Sequence, residues 1–269
     1  MTVSLKVRMP AFLATPHSHM RREFIYPHRS VRSFRVTVAK LLSAVFTAAV
    51  LCGSIAAYNA EFFTWHDRLC VTLLEWTGVP VTGEQTIELF EGLSTAVVPA
   101  VPVARFESNP LRFVLLAVAG LLALWAIQHR IALSRGFVLF LAALLLITAC
   151  VVAIHPSSQF GAVEFGQIWL RGEVLVWLLL PVFSAAMFTL VQPIWLIGVT
   201  LTVLVQVFGI FWSAVRMAFC LAVMHYSGIL FVPILWFALG VLADMIYLMV
   251  FYSMAVHWNA SRYWRRKAL

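Results

Sequence analysis

Six apolar runs, each close to the length needed to cross a bilayer, constrain this chain more than any other feature. They cover residues 41–58, 111–127, 137–154, 174–191, 195–224 and 229–252. A membrane-spanning helix needs about 20 predominantly apolar residues, with a lower limit near 17. Hydrophobic residues make up 62% of the chain and charged residues only 11%, against roughly 45–50% and about 25% in a soluble domain. A water-soluble chain of this length cannot bury so much apolar surface. The runs predict an all-α, polytopic helical membrane protein with about six transmembrane helices and a small extracytoplasmic insertion.

Residues 1–40 form a basic tail, with Lys6, Arg8, Arg21, Arg22, Arg29, Arg32, Arg35 and Lys40 against Glu23 alone. Arg21-Arg22-Glu23-Phe24-Ile25 is similar to a twin-arginine export signal. The apolar run begins well downstream of that pair and no small-x-small cleavage site follows, so residues 41–58 are expected to be an uncleaved first span. Residues 59–110 are the insertion, carrying Glu61, Asp67, Glu75, Glu84, Glu88, Glu91 and Glu107 against Arg68 and Arg105. Within it, residues 62–76 have the periodicity of an amphipathic interfacial helix. Residues 78–83 turn the chain, and residues 86–89 and 96–101 read as a small hairpin. Residues 111–254 are expected to form a five-helix membrane bundle with a polar loop over 155–173 and a kink at Pro181. Residues 255–269 form a second basic tail with Arg262, Arg265, Arg266 and Lys267.

The net charge is +8, but the basic residues cluster at the ends of apolar runs. That pattern points to membrane lipids as the partner and gives no support to nucleic-acid binding. With six spans, both basic tails and the turn holding Arg130 and Arg135 fall on one side of the membrane, and the acidic insertion on the other. The positive-inside rule then places both termini in the cytoplasm. Cys52, Cys70, Cys150 and Cys220 form no CxxC pair and no zinc spacing, and the outer acids match no calcium loop. No cofactor or metal is implied.

Two charges lie deep inside spans, Arg216 and Asp244, and a charge in a span is a functional candidate by default. On continuous helices Arg216 lies roughly 12 Å from the outer face and Asp244 roughly 22 Å. A direct pair would therefore need a tilt or a register shift, and the alternative is separate satisfaction by backbone and polar groups within the bundle. Ser213 and Cys220 share a helix face with Arg216, and His66 shares one with Cys70. A guanidinium beside Cys220 would favour its thiolate, which makes Cys220 and Cys70 candidate nucleophiles. His225 and His155 border outer loops, and His225 is the stronger catalytic candidate.

Trp212-Ser213-Ala214-Val215-Arg216 followed by His225-Tyr226-Ser227-Gly228 resembles the exosortases and archaeosortases. These are multipass membrane enzymes that cleave and transfer proteins bearing a C-terminal sorting signal. Leu74-Glu75-Trp76-Thr77-Gly78-Val79-Pro80-Val81, with Ile87-Glu88-Leu89 after it, is similar to the lead-in to that family's cysteine. Where the family has Cys-Ser-Gly, this chain reads Pro99-Ala100-Val101-Pro102-Val103-Ala104-Arg105, and Ser213 replaces the Asn of Asn-x-x-Arg. On one continuous helix, Arg216 and His225 would point in opposite directions; a break near Met224 would bring them together. The resemblance, with its nucleophile missing, implies an accessory or non-catalytic relative in an exosortase-type sorting system. Its partners would be the sorting enzyme or the sorted proteins. Two alternatives are a diverged cysteine transpeptidase or protease using Cys220 or Cys70, and a subunit of an unrelated envelope or polysaccharide complex.

Overall fold

The computed structural model describes residues 37–90, 94–130, 135–156, 160–192 and 194–267. The basic segment before residue 37 with its Arg21-Arg22 pair, Glu91, Ser157, Ser158 and Pro193 lie outside the described residues.

The described chain is dominated by helices. In order they are α1 (Val38–Ala57), α2 (Asn59–Trp76), a hairpin of β1 (Gly83–Phe90) and β2 (Ser94–Ala100), α3 (Pro110–Arg130), α4 (Arg135–Ile154), α5 (Ala162–Val191), α6 (Trp195–Ser227), α7 (Val232–Leu239) and α8 (Val241–Lys267). Single 3-10 turns precede α3 and α7, at Phe106–Ser108 and Gly228–Phe231. Five stretches of the described residues are long and apolar enough to cross a membrane: Val38–Ala57, Pro110–Arg130, Arg135–Ile154, Ala162–Thr189 and Trp195–His257. The last contains two long helices, α6 and α8, which accounts for the sixth apolar run. Leu122, Ile147 and Met249 are each about 60% exposed. Side chains of this kind, displayed along every long helix, need a lipid solvent. The protein is an all-α membrane protein.

The structure differs from the sequence expectation in two places. The polar loop expected over 155–173 is helical from Ala162 onward, because Val163, Phe165, Ile168, Trp169 and Leu170 supply apolar side chains between the charges. The sixth run is not one helix. It breaks at Gly240, the residue that ends α7, and resumes as α8.

The chain divides into two compact units. One comprises the described part of Met1–Leu51 together with Leu180–Val205 and Met249–Leu269. Inside it, a Cβ on Gly198 would lie 2.5 Å from the Thr189 Cα, so α6 approaches the end of α5 backbone to backbone. Gln192 Nε2 donates to the Ala255 carbonyl at 3.1 Å.

The other unit, Cys52–Leu179 with Gln206–Leu248, holds the principal core. Phe63, Cys70 and Leu74 of α2, Leu89 and Val98 of the hairpin, Phe165, Trp169 and Trp177 of α5, and Met217, Leu221 and Met224 of α6 form one buried cluster. The strands pair antiparallel, with a bulge between Glu88 and Phe90. A bulge leaves local carbonyls without ladder partners. Here α5 supplies the donors: Gln167 Nε2 reaches the Glu88 carbonyl at 3.0 Å and Arg171 Nε the Leu89 carbonyl at 2.6 Å.

Two glycines fix the geometry around α2 and α6. Gly78 (φ +73°) follows the last turn of α2. Val79 N–H donates to Leu74 O and Gly78 N–H to Glu75 O, the paired bonds that satisfy orphan carbonyls at a helix end. Gly228 (φ +61°) ends α6, and a Cβ there would lie 2.5 Å from the Ala104 carbonyl oxygen and 2.8 Å from the Phe113 ring. Gly228→Ala is expected to destabilise by about 2–3 kcal/mol, from the left-handed backbone and the clash together, read as a lowered Tm in detergent.

Candidate functional site: a buried arginine between two carboxylates

Arg216 is 1% exposed although it carries a full charge. It lies about three turns before the end of α6, and Glu173 lies about three turns after the start of α5, roughly 16 Å along each helix. Arg216 Nη2 donates to Glu173 Oε1 at 2.9 Å. Nη1 donates to the carbonyls of Leu239 and, at 3.0 Å, of Gly240. The break at Gly240 makes this possible, since it leaves the last carbonyls of α7 without intrahelical donors, while the Gly240 carbonyl accepts from Asp244 N–H as well, at 3.2 Å. The guanidinium carbon also lies 5.6 Å from the centroid of the Trp169 ring, a cation–π approach.

Asp244 Oδ1 sits 2.8 Å from the same Nη1. That nitrogen has two hydrogens, and both are directed at carbonyls. The Asp244 contact is therefore an ion pair made off the donor direction, and Oδ1 has no hydrogen bond of its own. Of the two alternatives left open by the sequence, Arg216 and Asp244 form the direct pair. The depth difference assumed one unbroken helix over 229–252, whereas the 3-10 turn, α7 and the break at Gly240 bring the start of α8 level with Arg216.

A second set of polar groups lies against the first. His66 Nε2 is 3.3 Å from Ser213 Oγ, and the His66 ring packs 5.6 Å from the Trp177 ring. Ser213 and Trp177 both approach the Glu173 carboxylate. Pro181 has no N–H to offer the Trp177 carbonyl four residues earlier; Gln206 Nε2 takes it instead, at 3.2 Å.

The sequence candidates fare differently. Ser213 and Asp244 join Arg216, while His225 does not. Helix α6 continues without a break past Met224 to Ser227, so His225 points away from Arg216, and the arginine and histidine of the motif are separated. His225 Nδ1 is 2.7 Å from the Pro102 carbonyl oxygen. A carbonyl only accepts, so Nδ1 carries the proton there and Nε2 is left as the acceptor in the neutral ring. Cys220 and Cys70 are fully buried. The guanidinium expected to activate Cys220 is committed to Glu173, Asp244 and two carbonyls. The Cys70 thiol is pushed up by burial, and further by the nearby Asp67 and Cys220, which is the reverse of what a nucleophile needs. His155 takes no part in the cluster. Glu173 and His66 are the members that sequence reasoning did not bring to Arg216. Among the described residues, no group of three or more His, Cys, Asp and Glu side chains could hold a metal ion.

Helix α2 lies outside the spanning stretches, and its two buried titratable groups oppose each other. Burial first, and the Arg216 charge second, lower His66 from 6.5 to about 3. Burial first, and Glu84 second, raise Asp67 from 3.8 to about 6. Between about pH 3 and 6.5 the unfolded chain binds the His66 proton and the folded one does not, so this term removes stability as pH falls. Between about pH 3.8 and 6 the folded chain keeps the Asp67 proton and the unfolded one does not, so this term removes stability as pH rises. The two nearly cancel over their common window. Relative to wild type, Asp67→Asn should add a loss approaching about 1.4 kcal/mol per pH unit on acidification from pH 6 to 4, because the His66 term is no longer offset. His66→Gln should give a slope of the opposite sign. Denaturation midpoints across that range check both.

No family model, curated protein or solved structure matches the chain.

Proposed function

We propose that this protein is a non-catalytic relative or accessory of exosortase-type sorting enzymes, seated in a bacterial inner membrane with both termini in the cytoplasm. The observation that carries this reading is the contact between His225 and Pro102. The motif histidine touches the segment, residues 99–105, that stands where the resembling family has Cys-Ser-Gly. It meets a backbone carbonyl there instead of a thiol. Beside this contact, Val101–Phe106, Phe113, Pro156, Phe160 and Ile229 line a cavity of about 310 Å³, large enough to admit side chains of a partner. The histidine and the segment lie side by side, with no thiol between them. Both buried thiols, Cys70 and Cys220, argue against a relocated one. The basic tails and the acidic insertion support the orientation through the positive-inside rule.

The test is complementation. A host lacking this protein should mis-sort envelope proteins that carry C-terminal sorting signals, and the Cys70→Ser/Cys220→Ser double variant should restore sorting as fully as wild type. Loss of rescue by either serine variant, in protein that still inserts, would instead make it a thiol enzyme. Normal sorting in the deletion host would place it in an unrelated membrane complex. Labelling of a terminal tag from outside intact cells would overturn the orientation.

A further inference from the structure

The charges around Arg216 do not balance. One guanidinium faces two carboxylates, Glu173 and Asp244, inside a stretch that lipid surrounds. The other titratable neighbours supply no positive charge: His66 on α2 is neutral, Cys220 on α6 is a buried thiol, and Tyr247 on α8 is a phenol. Fully ionised, the cluster would carry a net negative charge deep in a low-dielectric interior, an arrangement that is strongly disfavoured. The charge can be cancelled by one proton.

We propose that the cluster is a binding site for one exchangeable proton, carried on Glu173. Two features assign it to Glu173 and not Asp244. Asp244 lies in the first turn of α8, where the helix N-terminus favours a carboxylate; Glu173 is in the interior of α5 and gains nothing of that kind. Glu173 Oε2 is also buried and has no hydrogen-bond partner, while Oε1 takes the guanidinium, so a proton on Oε2 displaces no existing bond; the unbonded oxygen of Asp244, Oδ1, instead lies 2.8 Å from the guanidinium, where a proton would face a cation. The route out runs through Ser213 Oγ to His66 Nε2, 3.3 Å apart, and so to α2. A hydroxyl and a neutral imidazole can each accept a proton on one side and release one on the other. This inference is independent of the sorting role.

Infrared spectroscopy of the full chain in nanodiscs tests it, in sodium-free buffer at pH 7.5, where Asp67 is ionised. A protonated-carboxyl stretch should be present and should move on transfer to D₂O. Carboxyl-¹³C glutamate should shift it and carboxyl-¹³C aspartate should not. Glu173→Gln should abolish it. Asp244→Asn should abolish it too, because one carboxylate then neutralises Arg216. His66→Phe should slow the D₂O shift at least tenfold without removing the band. Absence of the band in wild type, its survival in Glu173→Gln, failure to move in D₂O, sensitivity only to aspartate labelling, or loss on adding sodium would each overturn the assignment.

Discussion

Replacing Arg216 by alanine is expected to remove about 3–5 kcal/mol of stability, because it leaves Glu173 and Asp244 buried without a cation. The carbonyls of Leu239 and Gly240 would lose their side-chain donor at the same time. The loss should appear as a large drop in Tm in detergent and as poor recovery of folded protein. The cause is unpaired charge and not lost volume, which makes a second outcome specific. Arg216→Leu combined with Glu173→Leu and Asp244→Leu should recover most of the loss, since apolar replacement of a whole buried ionic cluster is often neutral or stabilising. A triple variant no better than Arg216→Ala would mean that the cluster's hydrogen bonds to the α7 terminus, and not its charge balance, dominate.

Trp177→Ala should cost a similar amount, about 3–5 kcal/mol, through packing. The ring is almost wholly buried and lies 6.0 Å from Phe63 and 5.6 Å from His66, so it joins α2 to α5 beside Glu173. Trp177→Phe keeps most of the apolar contact and should lose less than half as much. The alanine variant should also let water approach Glu173, so the pH dependence of its unfolding should differ from that of wild type. Thermal unfolding at two pH values separates the packing loss from this exposure.

The spans were legible because lipid imposes a composition that no soluble core shares. The hairpin was legible too, from alternation at Ile87 and Leu89 against Ala96 and Val98, and the turn after α2 from Gly78. The site was only half legible. Ser213 and Cys220 could be placed on the face of Arg216 by helical spacing alone. The break that delivers Asp244 could not, because Gly240 stands in an apolar run with no polar flank to mark it. Glu173 was hidden for the opposite reason. It stood at the end of a stretch that read as a polar loop from Pro156, Ser157, Ser158 and Glu164, whereas the chain is helical from Ala162 onward. His66 reaches Ser213 across 147 residues of sequence, and no local pattern encodes such a contact. His225 was favoured because the motif named it, yet an unbroken α6 turns it to the other side.

Arg216 is bound simultaneously to carboxylates from two other helices, one of them delivered by the break at Gly240. A double-mutant cycle between Arg216→Met and Asp244→Asn, measured by reversible unfolding in a single detergent, tests it most directly. A coupling energy above about 1 kcal/mol is expected, as for groups in contact. Additivity within about 0.5 kcal/mol, the behaviour of independent sites, would contradict it.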